Sequence, residues 1–445
     1  MKIKNLYYLI FASLLLVNCE SYTEDLNNDP NNFIVAASDL LIGQSQLALI
    51  QHMGSNNARY GAVFTNQMSG GDRQYLTLNT YSPNAGNYND MWNDTYTQGI
   101  KNTKIILADE SAGGTILGIA EIIQGTLFAD LAALYGDIPY SEAINAEIVK
   151  PKYDSQASVM AGAIATIASG ISKVGASSIA AGYGGNRLAG GTWAEAGNTL
   201  AARYSLLSGD YSQAINYARN GVSSTADDLV SQHGTSLDNR NLYYQFAIDE
   251  RQDYLIASEA HATNLLDGTT PRALATPGNS EVFASYFILG GGEVLLNTNA
   301  DGRFSQTSPM KIASYLENQL ILAEAQFKSG NESDALVHLN NVRADLRVQY
   351  SSEDGFPDSS ASGATLLKQI LEEKYLGLIG ELVTFHDLRR TRNFIGVPNK
   401  TTGSTGASDF PQRFLYPQSE IDTNTENVPS PTPTFFQTTA AFTSY

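Results

Sequence analysis

Residues 116–135 restrict the fold of this 445-residue chain more than any other stretch. They contain few helix breakers and place apolar side chains on every side of a helical wheel. A helix of that kind has no wet face and has to be enclosed by other elements. It stops at Tyr135-Gly136-Asp137-Ile138-Pro139-Tyr140, where glycine and proline end it. Candidate neighbours are amphipathic. Ser38 is placed to cap a helix through Leu40, Leu41, Leu47 and Ile50. Trp92, Tyr96, Ile100 and Ile106 share a helical face, with Trp92 expected to pack on its own helix. Leu366, Ile370, Leu371, Tyr375, Leu378, Leu382 and Phe385 give the clearest late helix.

Two segments have the spacing of tetratricopeptide units, in which two helices meet at small residues across a glycine turn. Ala201, Ala202, Gly209, Tyr211, Ala214 and Ala218 form the first; Leu322, Ala323, Gly330, Ala335 and Leu339 form the second. Asn198 and Gln319 stand where the repeat usually has tryptophan, so ordinary helix hairpins are the alternative. Two regions are polar and loop-rich, about 66–90 and 224–310. The tail from Val428 onward carries Pro429, Pro431 and Pro433 and reads as an extended strap across the surface.

The N-terminus fixes the compartment. Lys2 and Lys4 precede an apolar run, 6–17, which has the length of a signal-peptide core and is short for a membrane span. It ends in Leu16-Val17-Asn18-Cys19, which resembles the lipobox of bacterial lipoproteins, although Asn18 replaces the usual small residue. The expected organisation is a signal peptide at 1–18, a tether at 19–37 lipidated on Cys19, and one domain at 38–445. Acyl chains would be its sole hold on the membrane. Glu20, Ser21, Glu24 and Asp25 resemble the surface-export signal of Bacteroidetes lipoproteins, and read equally well as a solvated linker. Asp25 to Ala36 is not a calcium loop, since Pro30 and Ala36 occupy the positions of the required glycine and glutamate. With Cys19 the only cysteine, no disulfide can form within the chain and packing must supply stability. A net charge of −18 argues against nucleic acid and against an electrostatic grip on anionic lipid.

Several strings, in order along the chain, resemble the SusD/RagB nutrient-binding lipoproteins. They are 25–32, 129–140, 193–203 with Asn198, Leu200 and Arg203, 320–325, 370–392 with Glu373-Lys374-Tyr375 and Gly380-Glu381, and 411–420. Thr269-Thr270-Pro271-Arg272 departs from the Asp-Pro-Arg string of many relatives. The resemblance implies a mainly α fold. Four tetratricopeptide-like pairs form its scaffold, and the opposite, irregular side binds ligand. It further implies a lid role on a SusC-like, TonB-dependent outer-membrane transporter, with oligosaccharide or peptide ligands and no catalysis.

The residues themselves carry no catalytic motif. There is no zincin His pair, nucleophile elbow or phosphate loop, and Gly182-Tyr183-Gly184-Gly185 is no dinucleotide fingerprint. His52, His233, His261, His338 and His386 are scattered and read as structural. Glu381, Asp387, Arg389 and Arg390 read as charges that hold a helix end. A surface glycan-active enzyme would need only two carboxylates that meet in space; a protein-interaction adaptor is a third class. No cofactor is expected, and the sequence leaves open whether a calcium ion braces the loops. For the ligand surface the expected residues are Asp72, Arg73, Tyr75 and Tyr81, from the polar loop before Trp92, with Tyr286 from the second loop region. The scarcity of tryptophan, with Trp193 in a scaffold string, favours tyrosine platforms and strengthens the peptide alternative.

Overall fold

The structure, a computed structural model, describes residues 37–179, 187–400 and 410–440. The expected signal peptide, Cys19 and nearly all of the tether lie outside the described residues. Helix α1 spans Ser38–Gly54 and α2 spans Asn56–Phe64. Helix α3, Asn89–Asp94, continues through a wide π turn, Thr95–Ile100, into α4, Lys101–Leu107. Then come α5 (Gly114–Tyr135), α6 (Gln156–Val174), α7 (Trp193–Leu207), α8 (Tyr211–Ala218), α9 (Tyr315–Lys328), α10 (Glu332–Tyr350), α11 (Gly363–Gly377) and α12 (Val383–Arg390).

Among the described residues these helices make four pairs: α1 with the α3–α4 segment, α5 with α6, α7 with α8, and α9 with α10. Each pair stacks on the next through α4 on α5, α6 on α7 and α8 on α9. Helix α5, apolar on every side, is thereby enclosed by α1, α4, α6 and α7. It is apolar enough to cross a membrane, yet 78% of its most apolar stretch is buried inside the protein. Its approach to α6 depends on glycine. A Cβ on Gly118 would lie 2.8 Å from the Gly170 carbonyl oxygen, and one on Gly125 2.6 Å from that of Ala163. The two tetratricopeptide-like units appear where expected. Gly209 and Gly330 turn each pair at φ of 76° and 84°, which glycine adopts without strain. Ala202, Ala214 and Ala218 meet Ile321, Leu322 and Ala325 in an apolar cluster between the third and fourth pairs.

The remaining chain is irregular, with short strands. Leu229–Ser231 lies antiparallel between Leu188–Ala189 and Met310–Ala313. Phe287–Gly290 and Glu293–Leu296 form a hairpin. Ser69–Gly70 pairs with Leu255–Ile256 and so ties the two loop-rich regions together.

Buried ion pairs join the pairs of helices. Arg203 of α7 grips Glu317 of α9 with two hydrogen bonds, 2.6 and 2.7 Å. Arg390 of α12 bridges Glu324 of α9 and Asp387, and Lys374 of α11 lies 2.9 Å from Asp387. Glu373 of α11 accepts from Arg272 and from Arg343 of α10. Asp387, Arg389 and Arg390 thus have the structural role read from the sequence. The histidines do as well: His233 meets Ser231, His338 meets Gln319, His261 packs beside Tyr375, and His52 and His386 flank Asp130.

The described part of the C-terminal strap, 428–440, crosses the surface as expected: it has no α-helix or strand, is mostly exposed, and is anchored by the buried Val428, Phe435 and Thr439. The segment before it, from Phe410 onward, enters the core. Phe414 donates its backbone N–H to the Leu134 carbonyl, and the Tyr416 hydroxyl donates to that of Asp137. The Phe414 and Phe435 rings pack on Phe64.

Removing one partner of a buried pair strands the other charge, at a cost of about 3–5 kcal/mol. Arg203→Ala is therefore expected to lower unfolding stability by about that much in chemical denaturation, and the Arg203→Met/Glu317→Leu double variant by clearly less.

Candidate ligand-binding site

The expected loop at 66–90 is a wedge and not a platform. Asp72 caps a short helix, Arg73–Asn79, by accepting from the Arg73 N–H at 2.8 Å. The Asp72 and Arg73 side chains are exposed and face each other at 3.6 Å. Tyr75 and Tyr81 point the other way. The Tyr75 hydroxyl accepts from Arg59 Nε at 3.2 Å, and its ring packs on Tyr60 and Phe246. Tyr81 donates to the Phe64 carbonyl and packs on Phe64 and Phe410. Burial pushes both phenols above their ordinary range. Both rings are fully enclosed, which corrects the expectation that they form a ligand platform: their partners come from distant segments that bury an otherwise polar loop. Trp92 is also enclosed, by Tyr96, Tyr135, Tyr153 and Tyr416.

Tyr286 is different. It lines a cavity of about 60 Å³ on the loop-rich side, with Tyr243, Arg303, Lys311 and Glu381. The elements that build this cavity are easily traced. Tyr286 ends the helix Asn279–Tyr286, at the point where the hairpin begins. Arg303 and Phe304 follow that hairpin, and the Arg303 N–H donates to the Ser285 carbonyl at 2.8 Å. Lys311 lies on the strand Met310–Ala313 and pairs with Asp228 at 3.2 Å. Glu381 follows Gly380, between α11 and α12; the Tyr243 hydroxyl holds that turn by donating to the Gly380 carbonyl at 2.7 Å. A Cβ at Gly380 would press within 3.2 Å of the Phe304 ring, and its φ of 82° also calls for glycine. The Phe304 ring sits between Tyr243 and Tyr286, at 4.8 and 5.9 Å between centroids.

Two groups in this cavity carry no side-chain hydrogen bond among the described residues, the Tyr286 hydroxyl and the Glu381 carboxyl. Glu381 does not join the helix-end charges it was grouped with in sequence. Burial pushes its carboxyl up to about 8, and the pull of Lys311 does not offset that. At neutral pH it is largely protonated and can donate as well as accept. The Arg303 guanidinium is buried beside the Tyr286 and Tyr350 phenols, which favour its charged form. The cavity therefore offers a carboxyl, a phenol, a guanidinium and an ammonium next to aromatic faces. Its volume suits a few waters or one projecting substituent of a larger ligand. Among the described residues no cluster of His, Cys, Asp or Glu could hold a metal ion.

A family model described as starch-binding associating with outer membrane, SusD-like, matches residues 30–417. The chain belongs to the SusD-like family. This SusD-like protein also has the fold of solved relatives. One is a chitin-binding protein, 21% identical, with a TM-score of 0.65 over 91% of this chain and 100% of the other. A SusD/RagB family protein from Bacteroides thetaiotaomicron is 20% identical, with a TM-score of 0.66 over 88% of this chain and 95% of its own. A SusD homologue from Bacteroides fragilis is 17% identical, with a TM-score of 0.71 over 92% of this chain and 100% of its own. At these identities the structures speak for the fold alone. No curated protein sequence matches.

The raised Glu381 value has a defined sign. In the unfolded chain the group titrates near ~4.3. Above that pH the folded state keeps a proton the unfolded state has lost, so stability falls as pH rises, until the folded value of about 8 is passed. Glu381→Gln removes this term. Its gain in melting temperature over the parent is expected to grow from pH ~5 to pH ~9 and then level off; a pH-independent difference would contradict the assignment.

Proposed function

We propose that this SusD-like protein is a non-catalytic lipoprotein of the outer membrane, anchored through Cys19 and facing outward. It captures nutrient oligomers, oligosaccharides foremost, and passes them to a SusC-like TonB-dependent transporter. The observation that carries this reading is the family match over residues 30–417, with its description as starch-binding and associated with the outer membrane. The cavity beside Tyr286 supplies matching chemistry. An aromatic ring meets the C–H face of a sugar, while Glu381, Arg303 and Lys311 meet its hydroxyls. Asp72 and Arg73, both exposed, remain candidates at the edge of the loop-rich side. Short peptides are the second reading, favoured by the lack of any tryptophan in the cavity.

Calorimetry separates the two. The titration panel contains starch and chitin fragments, other neutral oligosaccharides and mixed short peptides. Heat from a glycan class is expected, weakened about tenfold or more in Tyr286→Ala, as for loss of an aromatic anchor. Heat from peptides alone moves the ligand to that class, and turnover of any bound ligand would refute the non-catalytic reading. Cys19→Ser is expected to leave the membrane fraction, because the anchor depends on burial of acyl chains; retention of the variant in membranes would refute the anchor.

A further inference from the structure

A groove of about 300 Å³ opens between α1 and the segment that runs from α3 into α4, and it shares no lining residue with the Tyr286 cavity. That volume is at the lower end of small-molecule sites, about 300 Å³ and upward. Three features of its lining point to one ligand chemistry.

The first is an unbalanced charge. Asp90 and Asp94 both line the groove. They lie four residues apart on α3, a spacing at which like charges destabilise a helix. Neither side chain has an ion pair or hydrogen bond among the described residues, and no lysine or arginine lines the groove. Partial burial and the neighbouring Asp90 push the Asp94 carboxyl above its usual value.

The second is an unmet acceptor. Asn57 belongs to the same lining and is only 2% exposed. Its amide nitrogen donates to the His52 carbonyl at 3.0 Å and lies 3.2 Å from His52 Nδ1. Its Oδ1 has no partner. A buried acceptor left without a donor destabilises the fold, so a donor brought to it from a groove that Asn57 lines would relieve that cost.

The third is backbone geometry. The π turn Thr95–Ile100 starts directly after Asp94, and Thr95 and Gln98 line the groove with it. Such turns are uncommon and concentrate at functional sites. Gly99 pins this turn to the scaffold, since a Cβ there would lie 2.5 Å from Leu127 Cδ1. The wall that carries Asp94 and Gln98 is thus held against α5.

A ligand that answers all three is positively charged and rich in N–H donors. We propose that the groove is a second ligand site, which takes a primary ammonium group carried on a polar small molecule. The ammonium sits between the Asp90 and Asp94 carboxylates and donates toward Asn57 Oδ1. Gln51 and Gln98, from opposite walls, hydrogen-bond the rest of the ligand. Anionic ligands are repelled, and a neutral sugar leaves the two charges unanswered. The shared chemistry has two sources, the free amine of an amino sugar and the N-terminus of a peptide.

The test uses the full-length chain in detergent at physiological salt. The calorimetric probes are the fully deacetylated glucosamine disaccharide, its di-N-acetyl form, glycylglycine and N-acetyl-glycylglycine. Free-amine probes are expected to bind at least tenfold more tightly than their acetylated forms; whichever of the two amines binds identifies the source. Asp90→Asn/Asp94→Asn is expected to reduce that binding tenfold or more while its melting temperature stays equal or rises, because both side chains are exposed. Tyr286→Ala is expected to leave it unchanged, so failure here and failure of the glycan site are separable. Equal binding of acetylated probes, unchanged binding in the double variant, or silence from both amines would each overturn the proposal. So would heat from calcium chloride with none from the amines, which would mark a metal site instead.

Discussion

One buried carboxylate, that of Asp130, ties four helices together. It sits on α5 and accepts a hydrogen bond from the Tyr204 hydroxyl of α7 at 3.0 Å. His386 Nε2 of α12 lies 3.2 Å away and His52 Nε2 of α1 3.4 Å away. Burial alone would push this carboxyl up and neutralise it. The two imidazoles outweigh burial and hold it well below the usual carboxylate range. The network continues outward. His52 Nδ1 meets the Thr95 hydroxyl at 2.9 Å, and Arg389 reaches His386 Nδ1 at 2.7 Å and the Ala133 carbonyl at 3.0 Å. Apolar packing along α5 would tolerate some sliding of its neighbours. The hydrogen bonds from Tyr204 and His386 that converge on Asp130 do not, so the register of α5, α7 and α12 is set together, with His52 of α1 packed against the same carboxylate.

The same device recurs at the other joints, with arginine as the usual buried base. Arg203, Arg390, Arg343 and Arg272 all sit against carboxylates away from solvent. A guanidinium suits such places because its planar fork satisfies a carboxylate through two bonds. The scaffold that results leaves the short strands and loops between α8 and α9 to build the ligand side, where Tyr286, Arg303 and Lys311 all lie.

The parts of this architecture that could be read in the sequence are those written in local periodicity. Helix α5 is unmistakable because apolar residues recur on every side of it with few breakers, and the third and fourth pairs show themselves through Gly209 and Gly330. The first two pairs hide their pairing. Two further helices separate α1 from α3, an irregular stretch separates α5 from α6, and the π turn at Thr95–Ile100 shifts the phase of the face that Trp92 and Ile106 share. The candidate site was legible only in part. Tyr286 reaches the cavity, whereas Tyr75 and Tyr81 are claimed by Tyr60, Phe246 and Phe410, partners that no local pattern links to them. Glu381 shows the reverse error. In sequence it stands among helix-end charges, and only the turn at Gly380 separates it from them and places it in the cavity.

The position of the C-terminal segment from Phe410 onward also sets an order of events. Phe414 and Phe435 close the aromatic cluster around Phe64, and Arg413 reaches back to the Tyr135 carbonyl at the end of α5. The first helices therefore lack part of their core until almost the whole chain is available. A nascent chain that has delivered only its first three helix pairs exposes the apolar faces that the segment from Phe410 onward later covers. Burial of that kind ties the core of the first helices to residues near the end of the described chain. It also makes the C-terminus a poor place for a truncation, however exposed its prolines make it look.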